Sequence, residues 1–432
     1  MPIPRNGVHS RSKASARACE DEDVRYAYVK VNNVVEEVKR VLRREGELPE
    51  GGSDAYVAHF LNLAGNDPAL LISTHFYPSG DDEFFSTGTI VAKSLYWPTG
   101  LLKRFGGIAK RPVGTLFTRV IGSLKIFRYL VSFRPDRVLC WAPSLALWSS
   151  FLAARLSRAT FVYCLHNQLL RDYEPWYQRL TGAVDRAIIR HASAVIVHGP
   201  YLKQEMIEIG VDPAKLREFN WSYRHFGHGT RCELDRSEHI SDNSHNTVIL
   251  FIGRLQKSKG VFDLLDAVDG CLRTDASLRL VYAGDGNDLE VLRRVVVEKQ
   301  LTDKVSLLGR VPHDSLPALI AQSSFVVTPT QSWFPEGQCK ATIEGLVMGK
   351  PVIAPNFGSF PFLVEHGKNG LLFEPDSVVD LRRKILDLVD DDALRQRLSV
   401  GAAETGAVLR SSRVNFGDAV RDAFGITQIS VN

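Results

Sequence analysis

The sequence of 432 residues lacks several features that would assign it to a familiar class of protein. Its six cysteines include no Cys-x-x-Cys pair and no spacing typical of zinc sites or disulfide frameworks, which favours a reducing compartment. The first 23 residues contain no apolar segment typical of a signal peptide, and no apolar run is long enough to cross a bilayer. These absences predict a cytoplasmic protein that is neither secreted by a standard signal nor membrane-spanning.

Motifs for metal ions and dinucleotides are missing as well. No Asp-x-Asp motif follows a predicted strand, and no group of His, Asp and Glu residues has the spacing of metal ligands. The glycine turn Gly284-Asp285-Gly286 lacks the full G-x-G-x-x-G pattern of dinucleotide sites. We therefore expect no bound metal and no resident cofactor.

One span of the chain has no negative side chain. From Phe84 to Pro135 there is no Asp or Glu, although the net charge of the whole chain is only +4. Aromatic residues are interleaved with nine cations: Lys93, Lys103, Arg104, Lys110, Arg111, Arg119, Lys125, Arg128 and Arg134. This mixture suits the interface of an anionic membrane. Two alternatives remain: a nucleic-acid surface, for which no recognised module is visible, and a solvated helix face with aromatic residues in the core.

What is present is the composition of a soluble globular protein, with 44% apolar and 24% charged residues. One core rarely serves more than about 250 to 300 residues, so the length predicts two domains and a cleft. Short apolar segments rich in β-formers alternate with helical patterns, which is typical of parallel sheets. The predicted strands are at 25–31, 69–74, 137–142, 160–166, 193–200, 247–253, 278–284, 304–309, 325–330 and 351–355.

Three loops that follow predicted strands of the second half carry useful side chains, because ligands of such sheets bind at the carboxyl ends of the strands. Loop 253–260 places Arg254 and Lys259 just before a helix, which suits a diphosphate; solvated loop cations are the alternative. Loop 282–287 is a glycine turn, for which a tight connection is the simpler explanation. In loop 333–344 we expect Glu336 and Glu344 to face one cleft and accept sugar hydroxyls; partly exposed glutamates are the alternative.

The three loops together resemble the donor domain of family-four retaining glycosyltransferases of the GT-B fold, the group 1 glycosyl transferases. The resemblance rests on GRLQKSKG, LVYAGDGNDLEVL, the Glu-x7-Glu segment and GKPVIAPNFGSFPFLVEHGKNGLLFEP, over roughly residues 248–388. The N-terminal half matches more loosely, through segments such as GGSDAYVAHFLNLA and FVYCLHN. The resemblance implies an α/β fold with two Rossmann-like domains that face each other across a cleft.

The domain organisation expected on this basis has five parts. They are a polar tail at 1–24, an acceptor-side domain at 25–225, a linker at 226–246, a donor domain at 247–410, and a C-terminal helix at 411–432 that crosses back to the first domain.

The resemblance also implies roles for individual residues. Arg254 and Lys259 would hold the donor diphosphate and stabilise the leaving nucleotide. Glu336 would bind the donor sugar near its reacting centre, and Glu344 would bind the ribose. His166 would face the donor sugar, a role that competes with a purely structural one. Further donor contacts would come from Gly51, Gly52, Gly253, Gly309, Arg310, Val311 and the backbone of Gly337, Gln338 and Cys339.

The chain departs from the family in two motifs and in the stretch between the first strand and Gly51, which is longer than expected. It has EGQC at 336–339 where the family commonly has E-G-F-G, and FNWSY at 219–223 where the family has P-N-G-V-D. The first change leaves the identity of the donor open.

The implied activity is that of a retaining, metal-independent hexosyltransferase. It would move a sugar from a nucleoside-diphosphate donor to a lipid-linked or saccharide acceptor in polysaccharide or glycoconjugate biosynthesis. A nucleotide-sugar epimerase of the same architecture and a non-catalytic nucleotide-sugar-binding subunit are the alternatives. Together with the basic span, this activity predicts peripheral contact with the inner face of the cytoplasmic membrane and no nucleic-acid partner.

Overall fold

The computed structural model describes residues 23–31, 33–44, 53–74, 82–95, 112–165, 176–220, 223, 226, 247–334, 336–411 and 414–426. These residues form two α/β units, each built on a parallel or mostly parallel sheet with helices packed against it. The predicted fold class, two Rossmann-like domains that face each other across a cleft, is confirmed.

The sheet of the first unit has eight strands. They are β1 (Tyr26–Val31), β2 (Ala69–Thr74), β3 (Glu83–Thr87), β4 (Ile90–Leu95), β5 (Arg137–Trp141), β6 (Thr160–Leu165), β7 (Ala194–His198) and β8 (Leu216–Phe219). Their order across the sheet is β3-β4-β2-β1-β5-β6-β7-β8, and all neighbours are parallel except β3 and β4. Every residue of β7 is buried, as expected for a parallel strand covered on both faces.

Six described helices belong to this unit. They are α1 (Val34–Leu42), α2 (Ser53–Ala64), α3 (Pro112–Phe133), α4 (Ser144–Ser157), α5 (Trp176–Arg190) and α6 (Gly199–Glu208). The first helix shows why such segments form: the side chain of Asn33 accepts a hydrogen bond from the backbone of Glu36, and the apolar residues Val34, Val35 and Val38 lie on its buried face.

The second unit contains six strands and six helices. The strands are β9 (Thr247–Ile252), β10 (Leu278–Ala283), β11 (Val305–Leu307), β12 (Phe325–Val327), β13 (Val352–Pro355) and β14 (Gly370–Phe373). The helices are α7 (Val261–Thr274), α8 (Leu289–Glu298), α9 (Leu316–Gln322), α10 (Lys340–Val347), α11 (Val378–Asp390) and α12 (Asp392–Arg410). The strand order β11-β10-β9-β12-β13-β14 changes direction between β9 and β12. Such a switch point opens a crevice at the carboxyl ends of the two strands.

The last described helix, α13 (Phe416–Ala423), returns to the first unit. The ring of Phe416 lies 4.7 Å from that of Tyr56 on α2 and 5.2 Å from that of Phe219 on β8. The chain therefore crosses between the units twice. Where the crossings meet, the backbone N–H of Asn220 donates to the carbonyl of Val414 at 3.2 Å. The boundaries of the expected linker stay a prediction, because nearly all of residues 226–246 lie outside the described residues.

The sequence did not predict four of the strands, namely β3, β4, β8 and β14. The hairpin of β3 and β4 lies within the acid-free span and mixes exposed and buried residues. The Nζ atom of Lys93 on β4 lies 3.9 Å from the ring centre of Tyr129 on α3 and 4.9 Å from that of Phe84 on β3. At least one cation of the span therefore packs within the fold. Among the described helices, none is both long and apolar enough to cross a membrane.

Candidate functional site

The first part of the site is the loop that follows β9 at the switch point. A short 3-10 turn, Lys257–Lys259, leads from this loop into α7. Gly260 has a φ of +70°, and a Cβ atom there would lie 1.8 Å from the carbonyl oxygen of Pro329. Only glycine fits this approach, so the loop packs directly against the chain that follows β12. The close packing brings Lys259 next to the loop that carries Glu336.

A cavity of about 270 Å³ opens at this place. It is lined by Phe251, Ile252, Gly253, Arg254, Lys259, Thr328, Thr330, Glu336, Gln338, Cys339, Lys340 and Ala341. Three of these side chains are cations and one is a carboxylate, so the lining carries an excess of positive charge.

An ion pair joins the two loops across the cavity. The Nζ atom of Lys259 pairs with Oε2 of Glu336, and the two side chains are only 15% and 14% exposed. The same ammonium lies 4.5 Å from the ring centre of Phe334. The pair spares each charged group part of the cost of burial, because a buried charge is expensive unless it is paired.

Helix α10 presents its amino end to the cavity. Cys339, Lys340 and Ala341, which surround the start of this helix, all belong to the cavity lining. The unpaired N–H groups of a helix start carry partial positive charge, which adds to that of the cations. Burial lowers the pKa of Lys340, and the carboxylate of Glu344, one turn along the helix, acts in the opposite direction.

Glu344 is buried on α10, but it is not among the residues that line the cavity. Its Oε1 atom lies 3.5 Å from Nε2 of His313. The hydrogen bond to Glu344 raises the pKa of His313. His313 follows the loop 309–311, and the carbonyl oxygen of Gly309 accepts a hydrogen bond of 2.8 Å from the backbone of Gly284. The structure thus connects Glu344, through His313, with the segment that contains Gly309, Arg310 and Val311.

Gln338 lies where the cavity meets the first unit. Its Nε2 atom is 3.5 Å from Oδ1 of Asn220, in the segment after β8. Gly199, at the start of α6, has a φ of +79°, and a Cβ atom there would lie 2.8 Å from the same Nε2. The neighbouring His198 is buried, and its burial lowers the pKa of His198 to about 3. The wall of the cavity is therefore in contact with the carboxyl end of β7.

The structure brings together most of the residues that the sequence singled out in the second half. Gly253, Arg254, Lys259, Glu336, Gln338 and Cys339 line one cavity, and Gly337 lies between two of them in the chain. Glu344 faces His313 instead, next to the 309–311 segment. His166, Gly51 and Gly52 lie outside the described residues. Within the described residues, no three His, Cys, Asp or Glu side chains form a group that could hold a metal ion.

Sequence reasoning missed four side chains of this region: Thr328, Thr330, Lys340 and His313. Thr328 directly follows β12 and Thr330 lies two residues further on, so polar residues after a buried strand were a usable signal. Lys340 stands at the first position of a helix, where a cation is electrostatically unfavourable, and that conflict was a second signal. The contact of His313 with Glu344 leaves no local sequence pattern.

Two protein-family models match the chain. The model "Glycosyl transferases group 1" matches residues 235–405, and the model "Glycosyl transferase 4-like domain" matches residues 100–219. The first match contains all the residues of the cavity, and the second lies in the unit that carries β1 to β8.

Individual relatives agree with these models. An uncharacterized glycosyltransferase of Methanocaldococcus jannaschii is 35% identical over 155 residues, which are 36% of this chain and 42% of that protein. A GDP-mannose-dependent alpha-(1-6)-phosphatidylinositol monomannoside mannosyltransferase of Mycobacterium tuberculosis is 29% identical over 219 residues, 50% of this chain and 52% of that protein. The matches span about half or less of the length of these two curated relatives.

A solved structure shows the same architecture over nearly the whole chain. HepE of Anabaena, in complex with UDP and glucose, gives a TM-score of 0.60 at 19% identity and covers 89% of this chain and 96% of that chain. At this identity the likeness establishes the fold. Together with the family matches, it shows that this chain belongs to the group 1 glycosyl transferases of the GT-B fold.

Proposed function

We propose that the protein transfers a sugar from a nucleoside-diphosphate donor to an acceptor hydroxyl, with retention of configuration at the anomeric carbon. The observation that carries this proposal is the cavity at the switch point, whose lining holds Arg254, the ion pair of Lys259 with Glu336, and the amino end of α10. Cations beside a helix start suit the diphosphate of a nucleotide sugar. The complex of HepE with UDP and glucose, in the same fold, supports this class of ligand.

Arg254 and Lys259 supply the electrostatic part of the proposed mechanism. The bond between the anomeric carbon and the phosphate oxygen breaks, and negative charge develops on the leaving diphosphate. Cations and backbone N–H groups held there before the reaction stabilise that charge more than they stabilise the bound donor. The acceptor oxygen forms the new bond on the same face of the sugar, and its proton passes to the leaving phosphate oxygen. Because the side-chain cations take this role, the proposal requires neither a metal ion nor a resident cofactor.

The ion pair between Lys259 and Glu336 connects the two ends of the proposed donor site. A diphosphate would compete with Glu336 for the ammonium of Lys259. The carboxylate could then accept hydrogen bonds from the sugar hydroxyls near the reacting centre. We propose that the backbone N–H groups of Gly337, Gln338 and Cys339 donate further hydrogen bonds to the sugar hydroxyls or to the phosphate.

The nucleoside end of the donor would bind near Glu344. Its carboxylate is suited to the ribose hydroxyls, and Gly309, Arg310 and Val311 would line the base pocket. The contact between Glu344 and His313 supports this assignment, since it connects the ribose-binding carboxylate to that segment. We also propose that His166 faces the donor sugar and that the backbone at Gly51 and Gly52 approaches the phosphates.

The proposed acceptor is a lipid-linked saccharide at an anionic membrane surface. Helices α3 and α4 pack against each other in the first unit and expose apolar side chains: Leu124 is 63% exposed, Leu152 54% and Leu156 62%. Arg128 and Arg155 are exposed on the same helices, each within one turn of an exposed leucine. Exposed leucines flanked by arginines are suited to the headgroup region of anionic lipids. The name of the mycobacterial relative contains a phosphatidylinositol monomannoside, which is a glycolipid, and this supports a lipid-linked acceptor.

A thermal-shift screen tests the proposed function. We expect one sugar nucleotide from a panel of UDP, GDP, ADP and dTDP sugars to raise the melting temperature, because a ligand at 100 times its Kd stabilises the native state by about 2.7 kcal/mol. The variant Glu344→Ala should lose that shift. The matched control is Glu365→Ala, which changes an exposed glutamate that pairs with Lys368.

Enzymatic turnover separates the transferase from its alternatives. A transferase releases free nucleoside diphosphate only when an acceptor is added. Release without acceptor would point to a different reaction, and a wild-type protein that no sugar nucleotide stabilises would contradict the proposal altogether.

A further inference from the structure

Tyr223 carries a buried hydroxyl that has no hydrogen-bond partner among the described residues. The residue is only 5% exposed, and it follows β8 on the way from the first unit to the second. It also ends FNWSY, one of the motifs in which the chain departs from its family. Buried polar groups nearly always find a partner, because removing them from water without one costs free energy. The exception at Tyr223 therefore points to a group that binds there.

The contacts of Tyr223 lead to Glu344, the carboxylate of the proposed ribose site. The ring centre of Tyr223 lies 5.8 Å from that of Phe226, and the ring centre of Phe226 lies 5.2 Å from that of His313. His313 in turn meets Oε1 of Glu344 at 3.5 Å. Burial raises the pKa of Tyr223 well above its usual value, and the negative charge of Glu344 acts in the same direction. The phenolic hydroxyl is thus within electrostatic reach of the carboxylate.

Tyr223 and Glu344 do not hydrogen-bond to each other, so a third group is needed to link them. A carboxylate only accepts hydrogen bonds, whereas a phenolic hydroxyl donates and accepts. A sugar hydroxyl can donate to Glu344 and accept from Tyr223 at the same time, but an ionised phosphate can donate to neither. The side chain of His313, which covers Glu344, is 64% exposed and can turn aside with little loss of packing. The chemistry of the place therefore fits a sugar hydroxyl.

We propose that Tyr223 binds a ribose hydroxyl of the donor together with Glu344. This inference rests on the proposed function and adds a residue to its nucleoside end. The ribose hydroxyl supplies the partner that the buried phenol lacks, and it connects the segment after β8 with helix α10 through one ligand. The donor class that fits is a sugar attached to a ribonucleoside diphosphate.

The proposal predicts different effects on stability and on binding. Tyr223→Phe removes only the hydroxyl and keeps the ring that packs against Phe226. The ligand-free variant should melt at the same temperature as the wild type or higher, since a buried hydroxyl without a partner is removed. Its affinity for the nucleotide should fall, because the ligand loses a hydrogen bond. A hydroxyl that serves only the structure would do the reverse: its removal would lower the melting temperature and leave the affinity unchanged.

Isothermal titration of the full chain tests this. UDP, GDP and ADP are titrated into the wild type to find the ribonucleotide that binds, and its 2′-deoxy and 3′-deoxy forms are the probes that lack one hydroxyl each. We expect Tyr223→Phe to bind the ribonucleotide about 3- to 10-fold more weakly. One deoxy form should bind the wild type and the variant equally, since the hydroxyl that Tyr223 contacts is already missing. The other deoxy form should lose affinity as the ribonucleotide does.

Tyr28→Phe is the matched control, because it makes the same chemical change at another buried hydroxyl. Tyr28 lies on β1, and its hydroxyl also has no hydrogen-bond partner among the described residues. The carboxylate that acts on it, Glu37, belongs to the first unit. This variant should bind the ribonucleotide like the wild type.

Three results would overturn the inference: unchanged binding of the ribonucleotide by Tyr223→Phe, equal losses for the ribonucleotide and both deoxy forms, or equal losses in Tyr223→Phe and Tyr28→Phe. A wild type that binds dTDP but no ribonucleotide would also overturn it, and the proposed function would stand. A wild type that binds none of these nucleotides would speak against the proposed function itself, and the inference would fall with it.

Discussion

At the scale of single residues, the contact between His313 and Glu344 makes the protein sensitive to pH. The hydrogen bond to Glu344 raises the pKa of His313 in the folded state above its ordinary value of about 6.5. The folded protein thus holds this proton more tightly than the unfolded chain does. The resulting stabilisation is complete below the unfolded pKa and disappears as the pH rises through the folded pKa.

We predict that a titration followed by NMR will find the pKa of His313 above 6.5, and that Glu344→Gln will lower it, because the anionic partner of the imidazolium is removed. His366 is the internal control: partial burial lowers its pKa, and its charged neighbours are on other segments, so Glu344→Gln should leave it unchanged. An unchanged pKa of His313 in the variant would show that Glu344 does not stabilise the charged form of His313 in solution.

The residues of the site differed in how far the sequence could reveal them. Arg254, Lys259 and Glu336 follow predicted strands of one sheet, so their convergence could be anticipated from the rule that carboxyl ends of parallel strands share an edge. The direction of the Glu344 side chain could not, because it depends on His313, which a different segment supplies. The cation at the start of α10 was a sequence signal for Lys340, but only the structure shows that Lys340 lines the same cavity as Lys259.

At the scale of elements, the position of the loop after β9 depends on Gly260. The left-handed φ costs a non-glycine residue about 1 to 2 kcal/mol, and the short approach to the carbonyl of Pro329 forces the two loops apart. We predict that Gly260→Ala will lower the free energy of unfolding by about 2 to 4 kcal/mol, measured by denaturant titration. It should also weaken donor binding, since Lys259 moves with the loop.

Gly270→Ala provides the comparison for this prediction. Gly270 lies in the adjacent helix α7, and a Cβ atom there meets nothing within 4 Å. Alanine is the better helix former, so this variant should be as stable as the wild type or more stable by up to about 1 kcal/mol. If Gly260→Ala and Gly270→Ala lowered the free energy of unfolding by similar amounts, the close packing at Gly260 would not be the cause of the destabilisation.

The strands show which elements a sequence can reveal. Central parallel strands such as β7 and β9 are buried on both faces and therefore appear as continuous apolar runs, which made them predictable. The hairpin of β3 and β4 lies at the sheet edge, and its mixture of exposed and buried positions gives no such run. Strand β8 has only four residues, and two of them are charged, so it forms no continuous apolar run either and was not predicted.

At the scale of the whole molecule, the exposed leucines and arginines of α3 and α4 form one candidate membrane surface. We predict that the protein will co-sediment with anionic vesicles more than with neutral ones, because each cation near an anionic surface adds about 1 kcal/mol. The double variant Leu152→Ser and Leu156→Ser should reduce the bound fraction.

The control for this surface is Val408→Ser on α12, which replaces a valine that is 70% exposed in the second unit. It should bind vesicles like the wild type. Equal sedimentation with neutral and anionic vesicles would remove the electrostatic part of the membrane proposal, and it would leave the donor site unaffected.

The double crossing of the chain between the units limits how the enzyme can move. Two units joined by one flexible segment could twist about it in any direction. Here the chain passes between the units a second time, and the bond from Asn220 to Val414 joins the start of the first crossing to the second. Helix α13 holds the far end of the second crossing against α2 and β8. Because the two units are joined at two points of the chain, a rotation of one unit against the other would have to break the bond from Asn220 to Val414 or the packing of Phe416.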